Sequence, residues 1–264
     1  MTMFLAEQPP GSHPTVSFPS GCASWYCTFN YDSVISSAIA IVVTLLIGFL
    51  VARRLRRGVP GKLQMLFEFA VDYVKGLVSE SVAEDATFII PLAMTIGFYI
   101  LVANWLDFFP LERPLHPANA DLNQTLAMAL VVIIVVQAYS LRVLGVRGYL
   151  RRYTKPFEMP WPVRIAFIPL NIIEEVVKPV TLALRLFGNI FAGALMVYLL
   201  TLLPIFLSPI PLVAWKFFDV FFVGTIQAFI FMLLTIIYFG MAREGLEEEE
   251  HGGQGRQVAA AQEG

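Results

Sequence analysis

Charge is scarce in this sequence. Only 14% of its 264 residues are Asp, Glu, Lys or Arg, where a soluble globular domain carries roughly 25%. With 57% hydrophobic residues and a mean hydropathy of +0.70, an ordinary water-soluble domain is excluded and an integral membrane protein is indicated. Histidine is also scarce. His13, His116 and His251 stand far apart, so no pair has metal-ligand spacing, and neither a metal site nor a cofactor is expected. No phosphate-cradling glycine loop is present, because Gly58-Val59-Pro60-Gly61 is too short to serve as one. Nothing in the chain is therefore expected to bind ATP or to be catalytic. Met1 to Gln8 lack the basic start and apolar core of a cleaved signal peptide, so insertion is expected to rely on the first internal apolar segment. Of the two cysteines, Cys22 and Cys27 have four residues between them. They form a small disulfide loop if that segment faces an oxidising space, and are inert thiols otherwise.

What is present is a series of apolar runs near the roughly 20 residues that a bilayer crossing requires. Residues 1–33 are rich in Pro, Gly, Ser and aromatics and read as an external tail. Residues 34–52 form a first span, stopped by Arg53, Arg54, Arg56 and Arg57. Clustered arginines beside a span stay in the cytoplasm, so the N-terminus is expected outside. Within residues 53–87, Leu63, Leu66, Phe67, Ala70, Val74, Leu77 and Val78 recur at helical spacing, opposite Glu68, Asp72 and Lys75. That pattern predicts an amphipathic surface helix. Residues 88–144 read as a transmembrane hairpin. At its end and beyond it stand Arg142, Arg147, Arg151, Arg152 and Lys155, on the same side as the first basic loop. Residues 145–243 contain two apolar stretches, each longer than a perpendicular span, divided at Pro209-Ile210-Pro211. Residues 244–264 read as an acidic, disordered cytoplasmic tail. The fold class is an all-α integral membrane protein.

Ionisable residues inside membrane segments cost several kcal/mol and point to function. Arg185 is the extreme case, lying too far from either end of its stretch to snorkel easily. Glu174, Lys178 and Asn189 fall on nearly the same helical face, Glu174 within about 20° of it. Gly188 and Ala192 beside them let another helix approach closely. Such a face suits a sliding partner helix and does not suit lipid. Plainer roles remain open: Arg185 neutralised by Glu174 or Asp219, Glu175 balancing Lys178, Asp219 paired with Lys216, and Gln227 as a helix–helix hydrogen bond.

The run Asn171-Ile-Ile-Glu-Glu-Val-Val-Lys-Pro-Val-Thr-Leu-Ala-Leu-Arg-Leu-Phe-Gly-Asn189, with Phe191-Ala-Gly193 after it, resembles the signature of the ATP synthase subunit a family. Asn104-Trp-Leu106 with Pro110, Asp121-Leu-Asn-Gln-Thr-Leu-Ala127 and Gln227-Ala-Phe-Ile-Phe231 are similar to three further blocks of that family, in the expected order. Together they cover about residues 34–243.

The resemblance implies one outer transmembrane helix, an amphipathic surface helix, a transmembrane hairpin, and two long, strongly tilted helices packing against a ring of c subunits. It implies a bacterial plasma-membrane protein with its N-terminus outside and C-terminus in the cytoplasm. Its partners would be c-ring subunits, peripheral-stalk b subunits, other ATP synthase subunits and the lipid bilayer, with no nucleic acid. Arg185 matches the family's essential arginine, Asn189 and Gln227 its polar neighbours, and Glu174 or Glu175 its cytoplasmic acidic position. Asp121 and Asn123 match polar residues near the outer opening. One departure stands out. Many members carry a carboxylate or histidine nine residues after the arginine, partnered by one on the last helix. Here that position is Ala194, and the last helix offers Asp219, which is expected to take the proton-uptake role alone. A secondary transporter would instead show internal repeats with broken helices, and none is evident. A purely structural scaffold would not gather an arginine and carboxylates on one small-residue face.

Overall fold

The computed structural model describes residues 15–17, 28–55, 61–81, 88–108, 118–154 and 161–242. Cys22, Cys27, His116 and the acidic tail lie outside the described residues. Within the region expected to be an irregular tail, strand β1 (Thr15–Ser17) pairs antiparallel with β2 (Thr28–Asn30). Among the described residues everything else of regular structure is helical, and five helical stretches are long and apolar enough to cross a membrane.

Helix α1 (Tyr31–Arg54) starts with Asp32 in its first turn and ends on Arg53 and Arg54, complementing the helix dipole at both ends. Val42, Leu45, Leu46 and Phe49 lie exposed on one side. The buried stripe is made of Asp32, Ser36, Ala40 and Thr44, spaced four apart. Small side chains at that spacing permit close helix contact where apolar lipid supplies no hydrophobic drive. The Thr44 hydroxyl donates to the Ala40 carbonyl at 2.6 Å, so it is satisfied inside an apolar layer.

Helix α2 (Lys62–Ser81) has the expected amphipathic periodicity. Val74 and Val78 are buried, and Phe67 meets Phe98 edge-on at 5.5 Å. A second apolar strip, Met65, Leu66, Phe69 and Tyr73, remains exposed, so α2 is greasy on two sides. Helices α3 (Ile89–Leu106) and α4 (Leu122–Thr154) are joined through a 3-10 turn at Ala118–Ala120. Gly145 interrupts α4 with φ 66° and ψ 170°. Only a residue without Cβ takes that conformation readily, and the bend separates an apolar arm from the basic segment bearing Arg147, Arg151 and Arg152.

Helix α5 (Trp161–Thr201) has 41 residues, about 60 Å at 1.5 Å per residue. Pro169 and Pro179 lie inside it, each removing one backbone donor from the helical ladder. Helix α6 (Pro209–Met241) has 33 residues and is α-helical except for one π-helical turn at Phe218–Val223. The core lies where α3, α4 and α6 meet, with Leu182 and Leu186 of α5 packed against it. Phe88, Tyr139 and Phe239 close one end as a triangle of rings with centroids 5.3 to 5.7 Å apart.

Candidate functional site

The helical spacing that singled out one face of α5 translates into an open surface. Arg185 and Ala192 are exposed, and a Cβ added at Gly188 would meet nothing within 4 Å. Among the described residues no carboxylate is in ion-pair contact with Arg185. The plain reading in which Glu174 or Asp219 neutralises it is therefore not what the structure contains. Glu174 instead meets Lys178 at 3.3 Å, one turn away.

The two adjacent glutamates have different surroundings. The Glu174 side chain is 64% exposed and that of Glu175 only 17%. Glu175 faces α4, where it accepts a hydrogen bond from Gln137 Nε2 at 2.7 Å and meets Lys178 at 3.3 Å. Tyr149 of the bent end of α4 donates to Gln137 Oε1 at 3.2 Å. Farther along α5, Tyr238 of α6 lies near the Thr181 side chain and Arg185. A polar track thus runs from Arg185 through Thr181 and Lys178 to Glu175 and Tyr149. Gln137, Tyr149 and Tyr238 had no sequence signal, because an uncharged polar side chain in a helix gives no sign of its partner until the chain is folded.

On the other side of Arg185 the polar groups converge in a small cleft between α3, α5 and α6. Asn104, Asp107, Asn189, Asp219 and Gln227 line it, with Val220, Val223 and Gly224. Asn189 Nδ2 donates to Gln227 Oε1 at 2.8 Å. Gln227 is 2% exposed, and its Nε2 has no protein acceptor. The Asp219 carboxylate is packed directly on Gly193 of α5. Lys216, which its position one turn before Asp219 suggested as a partner, forms its salt bridge with Asp107 at the end of α3. The cleft therefore holds Asp219 without that direct partner.

From the cleft, hydrogen bonds continue toward the start of α4. Asn104 Nδ2 donates to the Gly224 carbonyl at 3.1 Å, and Asn119 Nδ2 donates to Asn104 Oδ1 at 3.0 Å. Asn119 is almost fully buried, with Oδ1 lacking a protein donor. Asp121 caps α4 by accepting from the Asn123 backbone N–H at 2.9 Å, and accepts from Asn30 Nδ2 at 2.7 Å. Asn123 itself points outward. Nearby, Ser37 donates to Gln124 Oε1 at 2.6 Å and Gln124 Nε2 to Tyr99 Oη at 3.0 Å. Of the residues expected to act together, the structure joins Asn189, Gln227 and Asp219 in one cleft and Glu174 and Glu175 around Lys178. Asp121 belongs to the separate polar cluster against α1. Asn104, Asp107 and Asn119 were missed as site residues, since short polar residues at helix ends read as caps.

The family model for the ATP synthase A chain matches residues 34–240. The ATP synthase subunit a of Acidothermus cellulolyticus is 42% identical over 251 residues, covering 91% of this chain and 88% of the relative. That of Mycobacterium ulcerans is 40% identical over 241 residues, covering 87% and 93%. That of Mycobacterium bovis is 38% identical over 262 residues, covering 95% and 99%.

Proposed function

The chain belongs to the ATP synthase subunit a family, a subunit of the membrane sector, and from that premise we propose that it forms two offset proton half-channels beside a ring of c subunits. The observation that carries this reading is the position of Arg185. It is a cation on an exposed, small-residue face in mid-helix, with polar tracks leading away from it in opposite directions.

In this mechanism a proton enters from outside through the groups around Asn104, Asn119 and Asp121. It reaches Asp219 in the cleft and passes to a carboxylate on the ring. Asn119 Oδ1 and Gln227 Nε2, buried without protein partners, favour a hydrated path, because buried polar atoms are normally satisfied by water when no side chain serves. The neutralised ring carboxyl then tolerates lipid, and the ring turns. After nearly a full rotation the carboxyl meets the release path at Glu174 and Glu175. Arg185 favours the ionised form of the arriving carboxyl, forcing release, and repels protons that would cross directly. A guanidinium suits the task because it does not deprotonate. Each charge driven across contributes about 2.3 kcal/mol per 100 mV. The c-ring and the peripheral-stalk b subunits are the partners on this reading. The chain itself is non-catalytic, and the site is a bacterial plasma membrane with the N-terminus outside.

Orientation is tested with single-cysteine reporters. Positions 62 and 147 are expected to label only from the cytoplasmic side and position 207 only from outside. Labelling of 207 from the cytoplasm would invert the topology. The two paths are tested separately. Asp219→Asn is expected to slow proton-driven synthesis by limiting uptake, and Glu175→Gln or Glu174→Gln by limiting release. Each should fall short of complete loss, since water substitutes in part within a hydrated channel. Aqueous silver ions are expected to reach a cysteine at 219 from outside and one at 174 from the cytoplasm. Access to both from one side would defeat the paired half-channel assignment.

A further inference from the structure

Asp219 and Gln227 lie eight residues apart on α6. In an uninterrupted α-helix eight residues leave two side chains about 80° apart, whereas seven leave them about 20° apart. Both nevertheless address one face of α5. Gln227 accepts from Asn189, and Asp219 packs on Gly193, the residue one turn beyond Asn189. The turn Phe218–Val223 resolves the mismatch. It is π-helical, and the Gly224 N–H donates to the Asp219 carbonyl five residues back in place of four. A π-turn accommodates one residue more than the α-turn it replaces. Asp219 therefore stands where the seventh residue before Gln227 stands in a plain helix. The opposite wall must yield as well. A Cβ at position 193 would collide with all three atoms of the Asp219 carboxyl group.

Resting on the uptake role assigned to Asp219 above, we propose that the π-turn Phe218–Val223 and the absent side chain of Gly193 form one positioning device, which sets the Asp219 carboxylate on the Asn189–Gln227 face. In this device the π-turn supplies the rotation and Gly193 the space. Phe222, exposed and outside the cleft lining, contributes length to the turn and no group to the path.

The test uses the assembled ATP synthase in membrane vesicles. Deleting Phe222 removes the additional residue, so the segment closes as plain α-helix with Asp219 still facing Gln227. Proton-driven synthesis is expected within about twofold of the parent, and a cysteine at 219 should remain silver-accessible from outside. Inserting one alanine after Phe222 turns Asp219 about 100° away and is expected to reduce synthesis about tenfold or more. Cross-linking supplies a second measurement that keeps the chain length unchanged. With Cys22→Ser and Cys27→Ser, the pair Gly193→Cys and Asp219→Cys should form a disulfide, and the pair Gly193→Cys and Val220→Cys should not. Equal loss in the deletion and insertion chains at normal assembly would overturn the device, as would cross-linking of 193 to 220 in preference to 219. Full synthesis in Asp219→Asn would instead remove the uptake role on which it rests, while leaving the cross-link pattern intact.

Discussion

Replacing Arg185 with alanine is expected to abolish proton-driven ATP synthesis while the chain still inserts and assembles. The expectation follows from where the guanidinium stands. It is exposed on α5, without a carboxylate partner among the described residues, and the neighbouring Gly188 leaves open space beside it. An internal ion pair would make its removal strand a buried carboxylate and destabilise the fold. No such partner is lost here, so insertion should survive and the defect should be functional. On the proposed mechanism, no unpaired cation of this face then remains to drive a ring carboxyl to ionise or to block direct proton passage, because Lys178 is held by Glu174 and Glu175. Arg185→Lys should fail as well, because an ammonium loses its proton when desolvated and lacks the planar fork of donors. The measurement is synthesis in energised vesicles together with co-purification of the ring subunits. Near-normal synthesis with Arg185→Ala in an assembled complex would sink the mechanism.

The parts of this fold that follow from one-dimensional patterns were legible in the sequence. Hydropathy located the apolar stretches, because crossing length and composition are local properties. Helical spacing gathered Glu174, Lys178, Arg185 and Asn189 on one face, and α5 is a helix over all four. The illegible parts depend on two helices at once or on a break in the period. Lys216 precedes Asp219 by one turn, but that order is the weaker one for an intrahelical pair, and Asp107 at the end of α3 takes the lysine instead. Glu175, off the Arg185 face, reads as a mere counter-charge until α4 brings Gln137 to it. The period breaks at the π-turn. Counting at 100° per residue puts Asp219 off the Gln227 face, and no residue type within Phe218–Val223 announces the wider turn. The resemblance points to Ala194 as the place of an expected polar group, while the residue that meets Asp219 is its neighbour Gly193.

Gly193→Val is expected to reduce proton-driven synthesis about tenfold or more, with Gly193→Ala intermediate. Gly193 is buried against the Asp219 carboxylate, and any Cβ there enters the space that carboxylate fills. Overpacking of a tight contact costs about 1–3 kcal/mol, and either α5 retreats from α6 or the carboxylate leaves the cleft. Retreat would stretch the 2.8 Å bond between Asn189 and Gln227, so displacement of the shorter, single side chain is the smaller adjustment. Ala194→Val, one residue on and exposed, should cost little by comparison. A double-mutant cycle separates displacement from general misfolding. If the valine acts by expelling Asp219, it should add almost nothing in an Asp219→Ala chain, where there is no carboxylate left to expel. If it acts by disturbing the α5–α6 contact as a whole, the two losses should multiply. Strict multiplication, with normal assembly in all three chains, would show that Gly193 does not work through Asp219.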